Sequence, residues 1–250
     1  MYGKFLKIAL AAGMLSIALH ASTVSLQNDF SITNGNPNGN WSYTEGTLPS
    51  TGALLSFQIP SNNGNPLYPA LSTGYWGAGV DLNQNTPEIF SALVNGSSAG
   101  QTNNDFLAGN IVGHSPNAGD FLFATWTAPS AGTVGTQSGM VWYAHSAVSR
   151  SNDWVLFFDN LTLASGSVTN GEDLTNPDLF SSGGFSVNAG DTISLGIRKT
   201  AGQQFGSLTG MDLNFTFTPN QTTTPEPGSL VLLGSGIVGL AGVLRRKLLL

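Results

Sequence analysis

The sequence contains no cysteine. This absence excludes disulfide bonds, thiol catalysis and zinc sites built on cysteine. It does not argue against export, because many bacterial secreted proteins contain no disulfide bond.

Charged residues are also scarce, at 9% of the chain against roughly 25% in an average domain. Between residues 22 and 219, which we call the central domain, only Arg150, Arg198 and Lys199 are basic, whereas thirteen residues are acidic, so its net charge is −10. So few cations cannot neutralise a phosphate backbone, which excludes nucleic-acid binding. The shortage of Glu, Lys and Arg, together with 32 glycines, indicates an all-β, loop-rich, secreted protein.

The N-terminus has the three parts of a secretory signal peptide. Lys4 and Lys7 precede an apolar stretch at residues 8–19, and small residues follow. We expect residues 1–21 to be removed by cleavage after Ala21. The alternative is an N-terminal membrane anchor, but about 12 apolar residues are too few to span a bilayer comfortably.

The C-terminus carries a second targeting pattern. A polar linker at residues 220–228 contains Pro-Glu-Pro, and residues 229–250 form an apolar segment that ends in basic residues. The apolar part, residues 229–244, is shorter than the roughly 20 residues of a relaxed transmembrane helix. The basic end would stay in the cytoplasm under the positive-inside rule. We therefore predict an apolar helix that stops in a membrane.

The tail resembles the PEP-CTERM sorting signal of Gram-negative and related bacteria. The resemblance lies in Pro225, Glu226 and Pro227, in the apolar segment that follows them, and in Arg245 and Arg246. The resemblance implies that an exosortase-type processing enzyme recognises the tail and cleaves near the motif. It also implies export, transient anchoring in the inner membrane, and delivery to the cell surface or extracellular matrix. Such proteins occur in bacteria that make extracellular polysaccharide. A simple C-terminal membrane anchor is the alternative.

The central domain shows the alternation of half-buried strands. In "MDLNFTF", the side chains of Met211, Leu213, Phe215 and Phe217 share one face, and "DTISLGI" repeats the pattern. Three further stretches, "DFLFATWTAP", "GMVWYAHS" and "WVLFFDN", are apolar on both faces and are predicted to be central strands. The spacing of these strands predicts one antiparallel, jelly-roll-like β-sandwich over residues 22–219.

Three finer predictions concern local structure. A β-hairpin is predicted where the alternating Phe185 and Val187 are followed by the turn "NAGD" at 188–191 and by the next strand. Residues 53–59 predict one weak strand. Residues 88–94 predict another, with a short helical turn as the alternative.

Three motifs of the central domain resemble a domain that often precedes this sorting signal. They are "NDFSITNGNPNGNWSY" (28–43), "HSPNAGDFLFATWTAP" (114–129), and "VNAGDTISLGI" with "TGMDLNFTF" (187–217). Ser115 departs from the pattern, since the family often has proline after the histidine. The resemblance implies a jelly-roll sandwich similar to carbohydrate-binding modules, and it leaves the activity open.

Few residues are suited to catalysis. His114 and His145 are the only histidines after the leader, and no Gly-x-Ser-x-Gly elbow accompanies them. Glycosidase chemistry needs two carboxylates on either side of a bond, and Glu45, Glu88 and Glu172 lie in loop-like or weak contexts. We therefore predict that the protein is not an enzyme, with a secreted hydrolase as the weakest alternative.

Calcium is the one cofactor for which the sequence offers weak candidates. Calcium prefers several oxygen ligands, and Asp105, Asp153 and Asp173 lie in polar segments that could supply them. The alternative is that these are solvated loop acids.

Sugar binding would need exposed aromatic platforms beside polar side chains. Trp41 with Tyr43, and Tyr75 with Trp76 in "GYWG", are the candidates. Packing in the core is the favoured alternative for both tryptophans. Trp126, Trp142 and Trp154 lie within strands and are predicted to be core residues.

These observations lead to two hypotheses besides the hydrolase. The first is a non-enzymatic surface or matrix protein that binds exopolysaccharide. The second is a structural adhesin or coat component that self-associates through strand edges and binds no sugar.

Overall fold

The computed structural model describes residues 20–60, 74–79, 87–96, 104–146 and 148–220, and residues 234, 236, 237 and 245. The chain divides into two compact units, Met1–Pro219 and Asn220–Leu250. The first unit contains the central domain.

The described part of the first unit is built almost entirely from β-strands. The strands are β1 (Ser22–Ser25), β2 (Trp41–Gly46), β3 (Ala53–Leu54), β4 (Phe57–Pro60), β5 (Gly74–Gly77), β6 (Glu88–Ser91), β7 (Ile111–His114), β8 (Phe121–Thr127), β9 (Gly132–Val134), β10 (Gln137–Tyr143), β11 (Asn152–Phe158), β12 (Leu161–Val168), β13 (Asp178–Ser182), β14 (Phe185–Val187), β15 (Thr192–Lys199) and β16 (Leu208–Pro219). A one-turn helix, α1 (Leu26–Asp29), and a 3₁₀ turn at Pro49–Thr51 complete the elements.

The strands form two antiparallel sheets. The ten-stranded sheet has the order β13-β10-β16-β7-β6-β5-β4, with β1, β9 and β14 attached beside this path. The six-stranded sheet has the order β12-β11-β15-β8-β2-β3. The all-β, antiparallel sandwich predicted from the sequence is confirmed.

The core lies where alternating side chains of the two sheets meet. Met211, Leu213, Phe215 and Phe217 of β16 are all buried, as their alternation predicts. Trp126 of β8 packs edge-on against Phe215 and Phe217, with ring centroids 5.1 and 5.3 Å apart. Each large side chain buried in this way contributes roughly 1.5–3 kcal/mol to stability. Trp142 and Trp154 are also buried, so the prediction that the strand tryptophans are core residues is confirmed.

A buried polar network joins the two sheets at one end of the sandwich. Ser115 Oγ donates to Asn152 Oδ1 (2.7 Å), and Asn152 Nδ2 donates to the Ser207 carbonyl (3.0 Å). Ser207 Oγ then donates to the Tyr143 hydroxyl (2.9 Å). Because these groups satisfy one another, their burial is tolerated. Ser115, the departure from the family pattern, is thus a hydrogen-bonding member of the core.

The predicted hairpin at 185–197 is wrong. β14 pairs with β9 in the ten-stranded sheet, whereas β15 pairs with β8 and β11 in the six-stranded sheet. The turn itself is present, because Asn188 N donates to Asp191 Oδ2 (2.7 Å) and Gly190 has φ +92°. Turn chemistry is local, so it reverses the chain without specifying which sheet the next strand joins.

The single weak strand predicted at 53–59 is two strands in different sheets. β3 pairs with β2, and β4 pairs with β5. Between them, Leu55 N donates to the Tyr43 carbonyl, and the Leu55 side chain is fully buried. The segment therefore crosses from one sheet to the other. At 88–94 the structure has a strand, β6, and not the helical alternative.

Most residues of the two targeting segments lie outside the described part of the chain. This holds for the leader up to residue 19, for Pro225, Glu226 and Pro227, and for Arg246. Ala21 is exposed and directly precedes β1, and Arg245 is helical and exposed. Within the described residues, no helix is both long and apolar enough to cross a membrane.

Candidate functional site: a groove on the six-stranded sheet

Apolar side chains also cover part of the face of the six-stranded sheet that points away from the core. Alternation places Phe121 and Phe123 of β8, and Val155 and Phe157 of β11, on this outer face. Phe123, Val155 and Phe157 are buried and form a cluster against which Phe121 packs. The rings of Phe121 and Phe123 stack with centroids 5.2 Å apart.

Glycine allows this aromatic cluster to lie close to the sheet. A Cβ at Gly196 of β15 would lie 2.5 Å from the Phe123 ring. Any other residue at position 196 would therefore push the ring away from the sheet. The position of the aromatic cluster therefore depends on Gly196 of β15 as well as on the residues of the cluster itself.

The apolar patch forms the floor of a groove of about 570 Å³. Thr47 and Leu48, which follow β2, line one side, and Thr162, Ser165 and Ser167 of β12 line another. We call this site the outer-face groove. Its lining comprises Thr47, Leu48, Phe121, Asp153, Trp154, Val155, Phe157, Thr162, Ser165, Gly166, Ser167 and Arg198.

A loop held close to β2 sets the position of the Thr47 side of the groove. A Cβ at Gly52 would lie 2.6 Å from Thr44 Oγ1. Glycine at this position lets the loop fold down onto the outer face. Ser50 Oγ also donates to Asn160 Oδ1 (3.0 Å), which ties the loop to the turn before β12.

The charged part of the groove is an ion pair between Arg198 and Asp153. Arg198 Nε lies 3.5 Å from Asp153 Oδ2, and the guanidinium carbon lies 4.6 Å from the centre of the Phe121 ring. Asp153 Oδ1 accepts hydrogen bonds from Ser167 Oγ (2.8 Å) and Thr200 Oγ1 (2.7 Å). This one carboxylate therefore connects β11, β12 and the end of β15.

The groove combines features that suit a hydroxyl-rich ligand. Its volume falls in the range of about 300–1,000 Å³ typical of ligand sites. Its floor is aromatic and aliphatic, and hydroxyl groups line its side. A sugar ring presents both an apolar face and hydroxyls, so each part of the groove has a matching part of such a ligand.

The four aromatic residues proposed as exposed sugar platforms are not exposed. Trp41 is 2% exposed, Tyr43 0%, Tyr75 1% and Trp76 5%. Trp76 lies on β5 and donates from Nε1 to the Ser31 carbonyl (2.8 Å). The packing alternative describes these residues, because the Gly-rich surroundings of Trp76 are strand and not loop.

One sequence pattern is compatible with the groove but predicts only burial. Phe121 and Phe123 alternate with Leu122 and Ala124, so β8 is apolar on both faces. This pattern correctly predicted a central strand. It did not predict that the second apolar face is partly open and forms the floor of a groove.

Two of the three calcium candidates, Asp105 and Asp173, lie in neighbouring segments of the structure. Asp105 Oδ2 accepts the Leu174 N–H (2.6 Å), and Asp173 Oδ1 accepts the Thr175 and Asn176 N–H groups. Asp153 lies in the groove. In the described part of the chain, no group of three or more acidic or histidine side chains could hold a metal ion. Calcium binding at these carboxylates stays a prediction from the sequence.

Of the catalytic candidates, His114 and Glu88 occupy the most unusual surroundings. They are register partners on β7 and β6. Burial lowers the pKa of His114 to about 4, and its Nδ1 lies 2.9 Å from the Ser115 carbonyl. Burial raises the pKa of Glu88 to about 8, and its Oε2 has no hydrogen-bond partner among the described residues.

The other catalytic candidates are separated in the structure. Glu45 belongs to β2 in the six-stranded sheet, whereas Glu88 belongs to β6 in the other sheet. Glu172 accepts hydrogen bonds from Thr169 in the loop between β12 and β13. Burial lowers the pKa of His145. The outer-face groove contains none of these residues.

The tail is identified by comparison with known families. Residues 223–247 match the family model of the PEP-CTERM protein-sorting motif. The chain carries a PEP-CTERM sorting signal. This signal indicates an exported protein that is sorted through the membrane, and it implies processing by an exosortase. The PEP-CTERM match covers the tail and not the central domain, so it does not assign the groove.

Several solved structures share a distant likeness with this chain. The C-terminal CBM6 module of LamC, a marine laminarinase from Zobellia galactanivorans, is 16% identical with a TM-score of 0.24, covering 52% of this chain and 79% of that chain. The K3 cleaved adhesin domain of Lys-gingipain from Porphyromonas gingivalis is 11% identical (TM-score 0.28; 79% and 99% covered). A Stig cyclase from Fischerella sp. TAU is 12% identical (TM-score 0.28; 80% and 100% covered). Likenesses this distant carry no functional argument.

Among curated proteins, none matches this chain.

Proposed function

We propose that this PEP-CTERM protein is a non-enzymatic protein of the cell surface or extracellular matrix, and that its outer-face groove binds a polysaccharide chain. The observation that carries the proposal is the groove itself, with phenylalanines on its floor and hydroxyls along β12. The sorting signal supports a location outside the cytoplasm, where such chains occur.

A binding role fits the groove better than a catalytic one. Among the described residues its lining contains one carboxylate, Asp153, which is paired with Arg198 and accepts hydrogen bonds from Ser167 and Thr200. Glycoside hydrolysis commonly uses two carboxylates placed across the scissile bond. The groove therefore offers contacts for holding a chain rather than a pair of groups for cleaving it.

Blocking the groove tests the proposal. Ser165 is an exposed β12 residue that lines the groove. We expect Ser165→Trp to weaken glycan affinity at least about tenfold, because the indole would occupy the space of the ligand. Affinity is measured on the exported protein against a glycan panel and the polysaccharide of the host.

The matched control is Ser186→Trp, which places the same bulk at an exposed serine of β14 in the other sheet. This variant should bind as the wild type does. Equal affinity of the Ser165 variant and the wild type would overturn the groove as the binding site. If the wild-type protein binds no glycan, the proposed function of polysaccharide binding is overturned.

A second candidate function is self-association, and one observation favours it. β12 is an edge of the six-stranded sheet, and its eight residues, "LTLASGSV", include neither a charge nor proline. Natural proteins commonly protect edge strands with charges or proline. Leu161, at the start of β12, is 66% exposed. These features suit strand pairing between copies in a coat.

A further inference from the structure

Asp153 and Arg198 form one unit within the outer-face groove. Among the described residues that line the groove, Arg198 is the only cation and Asp153 the only anion. Both are partly exposed, with side-chain exposures of 45% for Arg198 and 22% for Asp153. The groove therefore presents a positive group whose charge is already balanced.

The geometry holds this balance in place. Ser167 and Thr200 both donate to Asp153 Oδ1, which leaves Oδ2 directed at the Arg198 guanidinium. The Arg198 guanidinium carbon also lies 4.6 Å from the centre of the Phe121 ring. Arg198 is thus held over the aromatic floor by two contacts, one with Asp153 and one with Phe121.

We propose that the outer-face groove selects uncharged polysaccharide chains, and that Asp153 is the residue that determines this specificity. The inference rests on the proposed polysaccharide binding. A carboxylated chain would have to compete with Asp153 for Arg198, since a guanidinium already paired with a carboxylate has little to gain from a second one.

The net charge of the central domain also favours uncharged chains over anionic ones. The central domain has only three basic residues and a net charge of −10. A polyanionic chain approaching the groove meets this negative potential, which slows association and weakens binding at low ionic strength. A neutral chain meets no such barrier, and its hydroxyls can bond with Thr162, Ser165 and Ser167.

The test compares affinities for matched chains. Neutral glucans and their carboxymethylated derivatives of equal length are titrated into the exported protein at low ionic strength. The readout is the affinity for the carboxymethylated chain divided by the affinity for the neutral chain. If Asp153 had only a structural role, its substitution would change both affinities equally and leave this ratio unchanged. We expect a ratio well below one for the wild type, and a rise of about tenfold in Asp153→Asn.

Two variants make the result specific. Asp173→Asn removes the same charge outside the groove lining, and it should leave the ratio unchanged. Adding Arg198→Gln to Asp153→Asn should abolish the rise, because the uncovered cation is then lost.

The failures of the two proposals are distinguishable. A wild-type protein that binds neutral and anionic chains equally, or an Asp153→Asn variant whose ratio stays at the wild-type value, overturns the specificity and leaves polysaccharide binding intact. Absence of binding to every chain overturns the proposed function and this inference with it.

Discussion

Glu88 of β6 is a buried titratable residue, and its register partner on β7, His114, is half-buried. Burial disfavours the charged form of both groups. Burial raises the pKa of Glu88 to about 8. Burial, together with the nearby Arg150 and His145, lowers the pKa of His114 to about 4. At neutral pH both side chains are therefore predominantly uncharged.

These shifts predict how stability depends on pH. The unfolded chain ionises Glu88 near pH 4.5, whereas the folded protein does so near pH 8, so this group lowers stability as pH rises between these values. His114 binds a proton near pH 6.5 when unfolded but only near pH 4 when folded, so it raises stability between pH 4 and 6.5. The two effects oppose each other below pH 6.5, and Glu88 acts without this opposition above it.

We therefore expect the free energy of unfolding to fall between pH 6.5 and 8, by at most about 1.4 kcal/mol per pH unit. Glu88→Gln should remove this fall, because the amide does not ionise. Urea unfolding at a series of pH values measures it. Glu172→Gln, at a half-buried residue whose hydrogen bonds lower the carboxyl pKa, should keep the fall. Identical pH profiles for the Glu88 variant and the wild type would contradict the account.

Individual aromatic residues show the limit of reasoning from residue type. Trp41 and Trp76 have the chemistry of a sugar platform, but each is buried with its indole N–H satisfied, by Asp29 Oδ2 (3.2 Å) and by the Ser31 carbonyl (2.8 Å). Phe121, which was predicted only as part of a central strand, lines the groove. Exposure depends on neighbouring strands, and residue type alone does not report it.

At the scale of elements, alternation was a sound guide. β15 and β16 place the predicted residues in the core, because a period of two requires successive side chains to face opposite sides of a sheet. Pairing was less predictable. The 188–191 turn and the segment at 53–59 each connect strands of different sheets. β14 pairs with β9 and β15 pairs with β8, and both partners are more than 50 residues away in sequence, whereas β3 and β4 pair with the nearby strands β2 and β5.

The edge strand β12 provides a test of self-association. Leu161→Lys places a charge on an edge that has none, and we expect it to abolish any concentration-dependent assembly, because pairing would bury or juxtapose the added charges. Sedimentation velocity over a range of concentrations measures assembly. Leu107→Lys, at a leucine that is 51% exposed and lies outside any strand, is the control. A monomeric wild type would exclude this second function.

At the level of the whole molecule, the C-terminal tail carries the sorting signal, the N-terminal leader is predicted to be a signal peptide, and the domain between them carries the groove. The basic residues follow this division: five of the eight lie in the leader and the tail. Export would therefore leave a strongly acidic domain. Such a charge keeps copies apart in solution and disfavours contact with anionic surfaces.

Intact-mass analysis of the native protein tests the processing of both ends. We expect a mass that lacks residues 1–21 and the chain beyond the Pro225-Glu226-Pro227 region. A control strain without the exosortase should retain the C-terminal segment. Native protein that still ends at Leu250 in a strain with the enzyme would contradict sorting by cleavage.

The sorting signal, the all-β class and the core faces of strands such as β16 can be predicted from the amino-acid sequence. These are local or periodic properties: a short motif in the tail, a composition poor in helix-forming charges, and side chains that alternate along single strands. The site cannot be predicted in this way. The outer-face groove needs Phe121 of β8, Phe157 of β11, Ser165 of β12 and a loop after β2 to meet on one face. Long-range strand pairing creates that meeting, and no single segment encodes it.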